Sequence, residues 1–368
     1  MMQNCATAEG TSAYASRFDS LSGNFRPMLG LSVGSIGIGT YLGESDATTD
    51  AAYEEAIRAA LLGGVNLIDT AVNYRFQRSE RVIGKVLAEL IGAGKIKREE
   101  IVVATKGGYV TFDGEMPPDP HAWFEENYVR TGLVGPGDVV QGSHCMTPRY
   151  LEAMIETSRT NLGLDTIDIY YLHNPETQLS LGRDQFNERI RYAFEFLELK
   201  VDEGKISYYG TATWNGFRVQ PKEASYLSLA DLAGIANEVG GPDHHFRVIQ
   251  LPYNLGMPEA LTLNNQSLPD ASKVNTLAAA DANGIATCAS ASLLQGQLTR
   301  GLPAILSDTF PEMKSDAQRS LQFVRSTPGV AVALTGMSSA EHVRHNLATA
   351  NFPPASFETL MKLFNRAD

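Results

Sequence analysis

Cysteine is scarce in this 368-residue chain, which holds only Cys5, Cys145 and Cys288. Three thiols so far apart in sequence form neither a disulfide framework nor a Cys-x-x-Cys redox or metal motif, so a reducing, cytoplasmic setting is the expectation. Positive charge is also short. The 30 Lys and Arg face 42 Asp and Glu, a formal net charge of -12, the wrong sign for a surface that embraces nucleic acid or anionic lipid. No apolar run approaches the roughly 18 residues of a membrane span, and the polar stretch Met1 to Ser22 lacks the basic flank and apolar run of a secretory leader. Neither nucleic acid nor membrane is therefore expected as a partner. No Ser-, Gly- or Pro-rich linker divides the chain either, which argues for one domain where the length alone allows two or three.

What the chain does have is a 43% share of hydrophobic residues, enough for a large core, set out in a regular alternation. Short β-branched or apolar runs at Ser35–Thr40, Val65–Asp69, Ile101–Thr105, Ile167–Leu172, Ser207–Ala212, Val248–Leu251, Ile285–Ala289 and Val330–Leu334 read as strands. Between them, segments with apolar residues three or four apart read as helices, among them Asp50–Leu62, Ser79–Ile91, Pro148–Leu162 and Ser339–Thr349. Glycines such as Gly63-Gly64, Gly163 and Gly204 fall where a helix needs a left-handed stop. Strand-then-helix order demands parallel strands with right-handed crossovers, and eight units favour closure. The expected fold is a single-domain α/β (β/α)8 TIM barrel over residues 31–368, preceded by a tail over 1–30. One stretch, 107–147 after the third strand, exceeds a repeat unit. It carries Tyr109, Phe112, Trp123, Phe124 and Tyr128 and is expected to overhang the C-terminal face as an active-site cover.

Three strands end in titratable groups. Asp69 closes Asn66-Leu-Ile-Asp, Lys106 closes Ile101-Val-Val-Ala-Thr-Lys, and His173 closes Ile167-Asp-Ile-Tyr-Tyr-Leu-His, with Tyr74 just behind the first. Singly, a histidine after a strand is a hydrogen-bonded structural residue and a lysine a solvated loop charge. Together on one barrel rim they form a catalytic constellation.

On these residues the chain resembles the aldo-keto reductase superfamily, from about Gly37 to Asn346, with 107–147 outside the usual pattern. The resemblance implies a catalytic tetrad of Asp69, Tyr74, Lys106 and His173. Tyr74 is the general acid and base, its proton made easier to release by Lys106, and Asp69 holds the lysine charged and oriented. His173 positions the carbonyl. No metal is implied, and the hydride must come from a nicotinamide, since no side chain can supply one. The substrate implied is an aldehyde, ketone or sugar-like small molecule.

Cofactor contacts follow from the same resemblance: Thr40 on the first strand, Asp69, Thr213 and Gln250 near the carboxamide, and Gly336, Ser338, His342 and Asn346 around the nucleotide. Gly336-Met-Ser-Ser-Ala-Glu341 also reads directly as a capped helix start whose N–H groups suit a phosphate. Relatives carry Lys or Arg there for the 2'-phosphate of NADP; here the places hold Met337, Ser338 and His342, and Arg344 reaches the site only if its side chain turns back. NADP is the expected cofactor and NAD the alternative. Two further departures, Gly210-Thr-Ala-Thr213-Trp214 in place of a Ser-Asn pair and no stacking aromatic in Ala289–Gly296, motivate a second reading, a cofactor-binding regulatory subunit with little turnover. The adjacent pairs His144-Cys145 and His244-His245 read as solvated loop residues, and Cys288 as inert core packing.

Overall fold

All eight apolar runs form staves of a closed parallel barrel: β1 (Ile36–Gly39), β2 (Leu67–Asp69), β3 (Val102–Gly107), β4 (Ile167–His173), β5 (Ile206–Ala212), β6 (Phe246–Pro252), β7 (Ala286–Ser290) and β8 (Val330–Gly336), with β8 pairing back onto β1. The computed structural model describes residues 5–21 and 23–364 of the chain. Eight helices follow the strands: α1 (Ala47–Gly63), α2 (Arg78–Gly92), α3 (Pro148–Leu162), α4 (Arg183–Asp202), α5 (Leu229–Gly240), α6 (Thr276–Ala282), α7 (Asp316–Ser326) and α8 (Ala340–Leu347). Their limits are set locally. In α3, Pro148 occupies the first turn, where its missing N–H costs nothing, and Gly163 at φ 67° ends the helix in the left-handed region. Among the described residues no helix is long and apolar enough to cross a membrane.

Strand parity decides what faces the barrel axis, because alternate side chains point to opposite faces. The core inside the barrel includes Leu67, Val102, Ala104, Ile169, Tyr171, Val248, Cys288 and Val332. Counting on by two along the same strands from Leu67, Ala104, Tyr171 and Val248 leads to Asp69, Lys106, His173 and Gln250. The parity that fills the barrel with apolar side chains therefore delivers four polar ones to its C-terminal mouth. The outer core lies between the strands and helices and includes Ile38, Ile68, Val103 and Tyr170, the opposite parity. Close passage of β5 and β6 requires Gly210, where an added Cβ would stand 1.8 Å from the Val248 carbonyl oxygen.

The expected tail over 1–30 is folded where it is described; residues 1–4 and 22 lie outside the described residues. Ala8–Ala15 forms a helix capped by Thr7, and Tyr14 on it donates from its buried hydroxyl to the carbonyls of Leu61 and Val65. Phe25–Met28 and Leu31–Gly34 form an antiparallel hairpin whose Met28 and Val33 join the inner core, closing the N-terminal end of the barrel.

The long stretch after β3 forms two short helical segments, Pro120–Phe124 and Glu125–Val129. Of its aromatics only Tyr109 reaches the cavity at the barrel mouth. Trp123, Phe124 and Tyr128 pack with Val134, Cys145, Tyr150 and Met154 in a separate apolar cluster against α3. Cys145 and His144 are buried, as is His244, whereas solvated positions were expected. The ring nitrogens of His144 are held by neighbours distant in sequence, described below.

Candidate active site

The four strand-end residues converge at the mouth. Lys106, 1% exposed, places Nζ 2.6 Å from Asp69 Oδ1 and donates to the Thr70 carbonyl at 2.8 Å. Asp69 Oδ2 accepts from Gln250 Nε2 at 2.7 Å, so one carboxylate ties β2, β3 and β6 together. The ring of Tyr74 lies above this pair, its centroid 5.0 Å from Lys106 Nζ, and meets the His173 imidazole edge-on at 5.7 Å.

Tyr74 sits on a strained loop. Arg75, Phe76 and Gln77 all have positive φ, 50°, 53° and 73°, a region that side chains with a Cβ rarely adopt. Arg75 holds the loop in place: its buried guanidinium donates to the carbonyls of Glu44 and Asp46 and pairs with Asp50. Gln77 adds a bond to the Phe112 carbonyl at 3.0 Å. Sequence reasoning did not single out these anchors. Their signal, polar side chains directly after the tyrosine, resembles that of any surface turn.

Burial governs protonation here. It pushes the Tyr74 phenol well above the ordinary value of 10.0, helped by the Asp69 carboxylate. The expected lowering by Lys106 does not prevail against this burial. Burial likewise pulls Lys106 below its ordinary value, against Asp69, which favours the charged form. His173 is driven well below its ordinary value of 6.5, first by burial and then by the Lys106 charge, so its imidazole is neutral. His173 Nδ1 is buried without a partner. A proton on the other nitrogen leaves only a lone pair unpaired there, which is less costly than an orphaned N–H.

A cavity of about 990 Å³ opens above these groups and runs from the rim at Tyr41, Tyr109 and Trp214, past Tyr74 and His173, to Ser338, His342 and Asn346. Thr40, Asp69, Thr213, Gln250 and Gly336 also line it, so every residue assigned to the cofactor from the sequence faces this one cavity. Thr213 Oγ1 and Thr335 Oγ1 are buried there without hydrogen-bond partners. At the far end Ser339 caps α8 by accepting from His342 N at 3.2 Å. His345 Nε2 meets Ser315 Oγ at 2.7 Å. Among the described residues no lysine or arginine lines the cavity, and the exposed Arg344 is not among its walls. Of the 107–147 stretch only Tyr109 lines it. Asn174, which follows His173 at φ 47° and donates from Nδ2 to Tyr109 Oη at 3.1 Å, also faces the cavity and was missed. Among the described residues no group of three or more His, Cys, Asp or Glu could hold a metal ion.

Comparison with known proteins gives the same region a context. A family model described as the aldo/keto reductase family matches residues 35–302. An uncharacterized oxidoreductase of Bacillus subtilis is 25% identical over 333 residues, 87% of this chain and 88% of that one. An NADH-specific methylglyoxal reductase of Escherichia coli is 32% identical over 169 residues, which is 46% of this chain and 42% of that protein. Among solved structures, an aldo/keto reductase of Klebsiella pneumoniae in complex with NADP and acetate superposes with a TM-score of 0.61 at 22% identity, covering 93% of each chain.

Proposed function

The chain belongs to the aldo/keto reductase family of NAD(P)-dependent oxidoreductases, and from that premise we propose that it reduces a neutral aldehyde, ketone or sugar-like carbonyl with Tyr74 as general acid, the same phenolate serving as base in the reverse direction. The observation that carries this reading is the buried Asp69–Lys106 pair beneath Tyr74 and His173 on one cavity wall. Sequence and fold alone do not distinguish a reductase from a binding subunit, but a module that only binds has no need of a phenol set above a buried ammonium.

The cavity fits a nicotinamide dinucleotide. Its volume lies at the upper end of the range for small-molecule sites, and the unpartnered hydroxyls of Thr213 and Thr335 mark polar positions along it. Gln250 and Thr213 would hold the carboxamide, Ser338 and the start of α8 the phosphate of the adenosine end, and Asn346 the base. When bound, that group supplies the hydride. This chain's residues do the rest. Tyr74, kept protonated by burial, holds the proton at the phenol oxygen until charge develops on the substrate oxygen. Lys106 then stabilises the phenolate left behind, with Asp69 fixing the ammonium. The neutral His173 donates to the same substrate oxygen and sets its angle. Tyr41, Tyr109 and Trp214 wall off water, and among the described residues no lysine or arginine on the walls favours an anionic substrate.

The same absence of fixed cations bears on the nucleotide. A 2'-phosphate would meet Ser338, His342 and His345 rather than a guanidinium, so we assign NADP(H) and NAD(H) as alternative cofactors with modest discrimination between them. Fluorescence titration with NADPH and with NADH, followed by a panel of neutral and anionic aldehydes, tests this. Binding of both nucleotides and turnover of neutral carbonyls support the proposal, and absence of binding of either nucleotide refutes it.

A further inference from the structure

Behind His173, on the side away from the cavity, a second histidine comes from the stretch after β3. His144 is 1% exposed, and its Nε2 lies 2.7 Å from the backbone carbonyl oxygen of His173. The approach depends on Gly108, at φ 146°, where an added Cβ would stand 2.9 Å from His144 Nε2 and 3.0 Å from that same oxygen. The two ends of the stretch are joined just there: Tyr109 bridges His144, Cys145 N donates to the Gly108 carbonyl at 2.7 Å, and Val110 N donates to the Ser143 carbonyl at 2.8 Å. The Tyr109 ring stands edge-on to both imidazoles, 5.2 Å from His144 and 5.0 Å from His173.

Donor and acceptor roles in this cluster are forced from one end. An arginine can only donate, and Arg189 on α4 places Nη1 2.6 Å from Gln178 Oε1. The Gln178 amide therefore turns its NH2 toward His144, with Nε2 2.8 Å from Nδ1. The lone pair of His144 must be on Nδ1 and its proton on Nε2, pointing at the His173 carbonyl. Arg189 also donates to the Gly137 carbonyl at 2.8 Å, so the guanidinium joins α4, the segment after β4 and the stretch after β3.

We propose that His144 is a positioning residue for carbonyl reduction, and that the 107–147 stretch acts as an internal brace that fixes His173 through its backbone rather than as a cover over the cavity. The inference rests on the reductase reading given above. A hydrogen bond to the His173 carbonyl fixes the peptide that begins at His173 and with it the imidazole angle on one side and Asn174 on the other. Tyr109, held by the Asn174 amide and by the bridge to His144, carries the same constraint to the cavity wall. Catalytic groups misplaced by about an ångström lose about a hundredfold in rate, so the brace should appear in turnover.

The test uses the full chain, NADPH and 4-nitrobenzaldehyde. His144→Phe keeps the ring shape and removes the donor; kcat should fall by about ten- to a hundredfold with NADPH affinity and KM little changed. His144→Gln, whose amide can donate to the same carbonyl, should recover most of the loss. Independently of activity, ring-nitrogen NMR of 15N-histidine-labelled native protein should show His144 protonated at Nε2 and bare at Nδ1. Native kcat in His144→Phe, or a proton on Nδ1, overturns the inference. Tyr74→Phe run alongside separates the two ideas: if it turns over like the native chain, Tyr74 is not the acid, while the brace is still decided by His144→Phe and the tautomer; if the native chain itself does not turn over, the reductase reading falls and the tautomer alone decides the brace.

Discussion

Removing Asp69 isolates a charge the fold has buried. Lys106 is almost completely inaccessible and has two oxygen partners, Asp69 Oδ1 at 2.6 Å and the Thr70 carbonyl at 2.8 Å. In Asp69→Leu the ammonium keeps only the carbonyl. Breaking a buried pair from one side typically costs about 3–5 kcal/mol. The upper limit is independently set by neutralising the lysine, since taking an ammonium of ordinary pKa about 10.4 to its neutral form at pH 7 costs about 4.6 kcal/mol. Lys106→Met, which strands the carboxylate with only Gln250 donating to it, should cost a similar amount. The double variant Asp69→Leu/Lys106→Met removes both charges and fills the space with apolar groups, so it should return to within about 2 kcal/mol of the native chain. All three should lack reductase activity. Urea or guanidinium unfolding measures the cycle. Single variants within about 1 kcal/mol of native, or a double variant as unstable as the sum of the singles, would refute the view that the pair is a cost the fold bears for its chemistry.

The nucleotide end, the acid limb and the aromatic cluster give three more expectations. Ser338→Arg should shift preference toward NADPH by adding the fixed cation the cavity lacks, as read from the ratio of NADPH to NADH dissociation constants; an unchanged ratio means the 2'-phosphate lies elsewhere. Burial pushes His144 down to about 4 from an ordinary 6.5 or so, so between those values the unfolded chain takes up a proton that the folded chain excludes. Stability from this group is complete above about pH 6.5 and falls on acidification toward 4, by about 3 kcal/mol in full; His144→Phe should flatten that slope in unfolding curves between pH 7 and 4. Trp123→Ala should lower the melting temperature and leave KM and kcat unchanged, since its ring packs against Phe112 and Tyr128 rather than on the cavity; altered kinetics would restore a cover role to the loop.

The barrel was legible because its signal repeats: eight apolar runs, each followed by a helix with the right punctuation, admit few topologies. The grouping of Asp69, Lys106 and His173 at the barrel mouth was legible for a related reason, since strand parity and strand ends together determine where they point. The N-terminal hairpin was not. Its turn through Leu29 and Gly30, both at positive φ, joins two four-residue strands with no alternation long enough to read, and its purpose, closing the barrel floor, exists only once the barrel does. His144 escaped for a different reason. A lone histidine between Ser143 and Cys145 carries no periodic signal, and what buries it, Gln178, Gly108 and the His173 carbonyl, lies about 30 residues or more away. The direction of the Tyr74 shift was not legible because burial, its first cause, depends on packing that the local sequence does not show. The aromatics after β3 were expected over the barrel mouth, and all but Tyr109 pack elsewhere, because composition cannot say which side of a barrel a group of aromatics packs on.

The central claim is that Tyr74 supplies the proton in a nicotinamide-dependent reduction. Single-turnover mixing of NADPH deuterated at C4 with a neutral aldehyde, in the native chain and in Tyr74→Phe, tests it directly. The native enzyme should transfer deuterium to the product alcohol. The phenylalanine variant should bind NADPH with little change in affinity and lose about a hundred- to ten-thousandfold in rate, the usual contribution of a positioned acid. Transfer at the native rate in Tyr74→Phe would contradict the account.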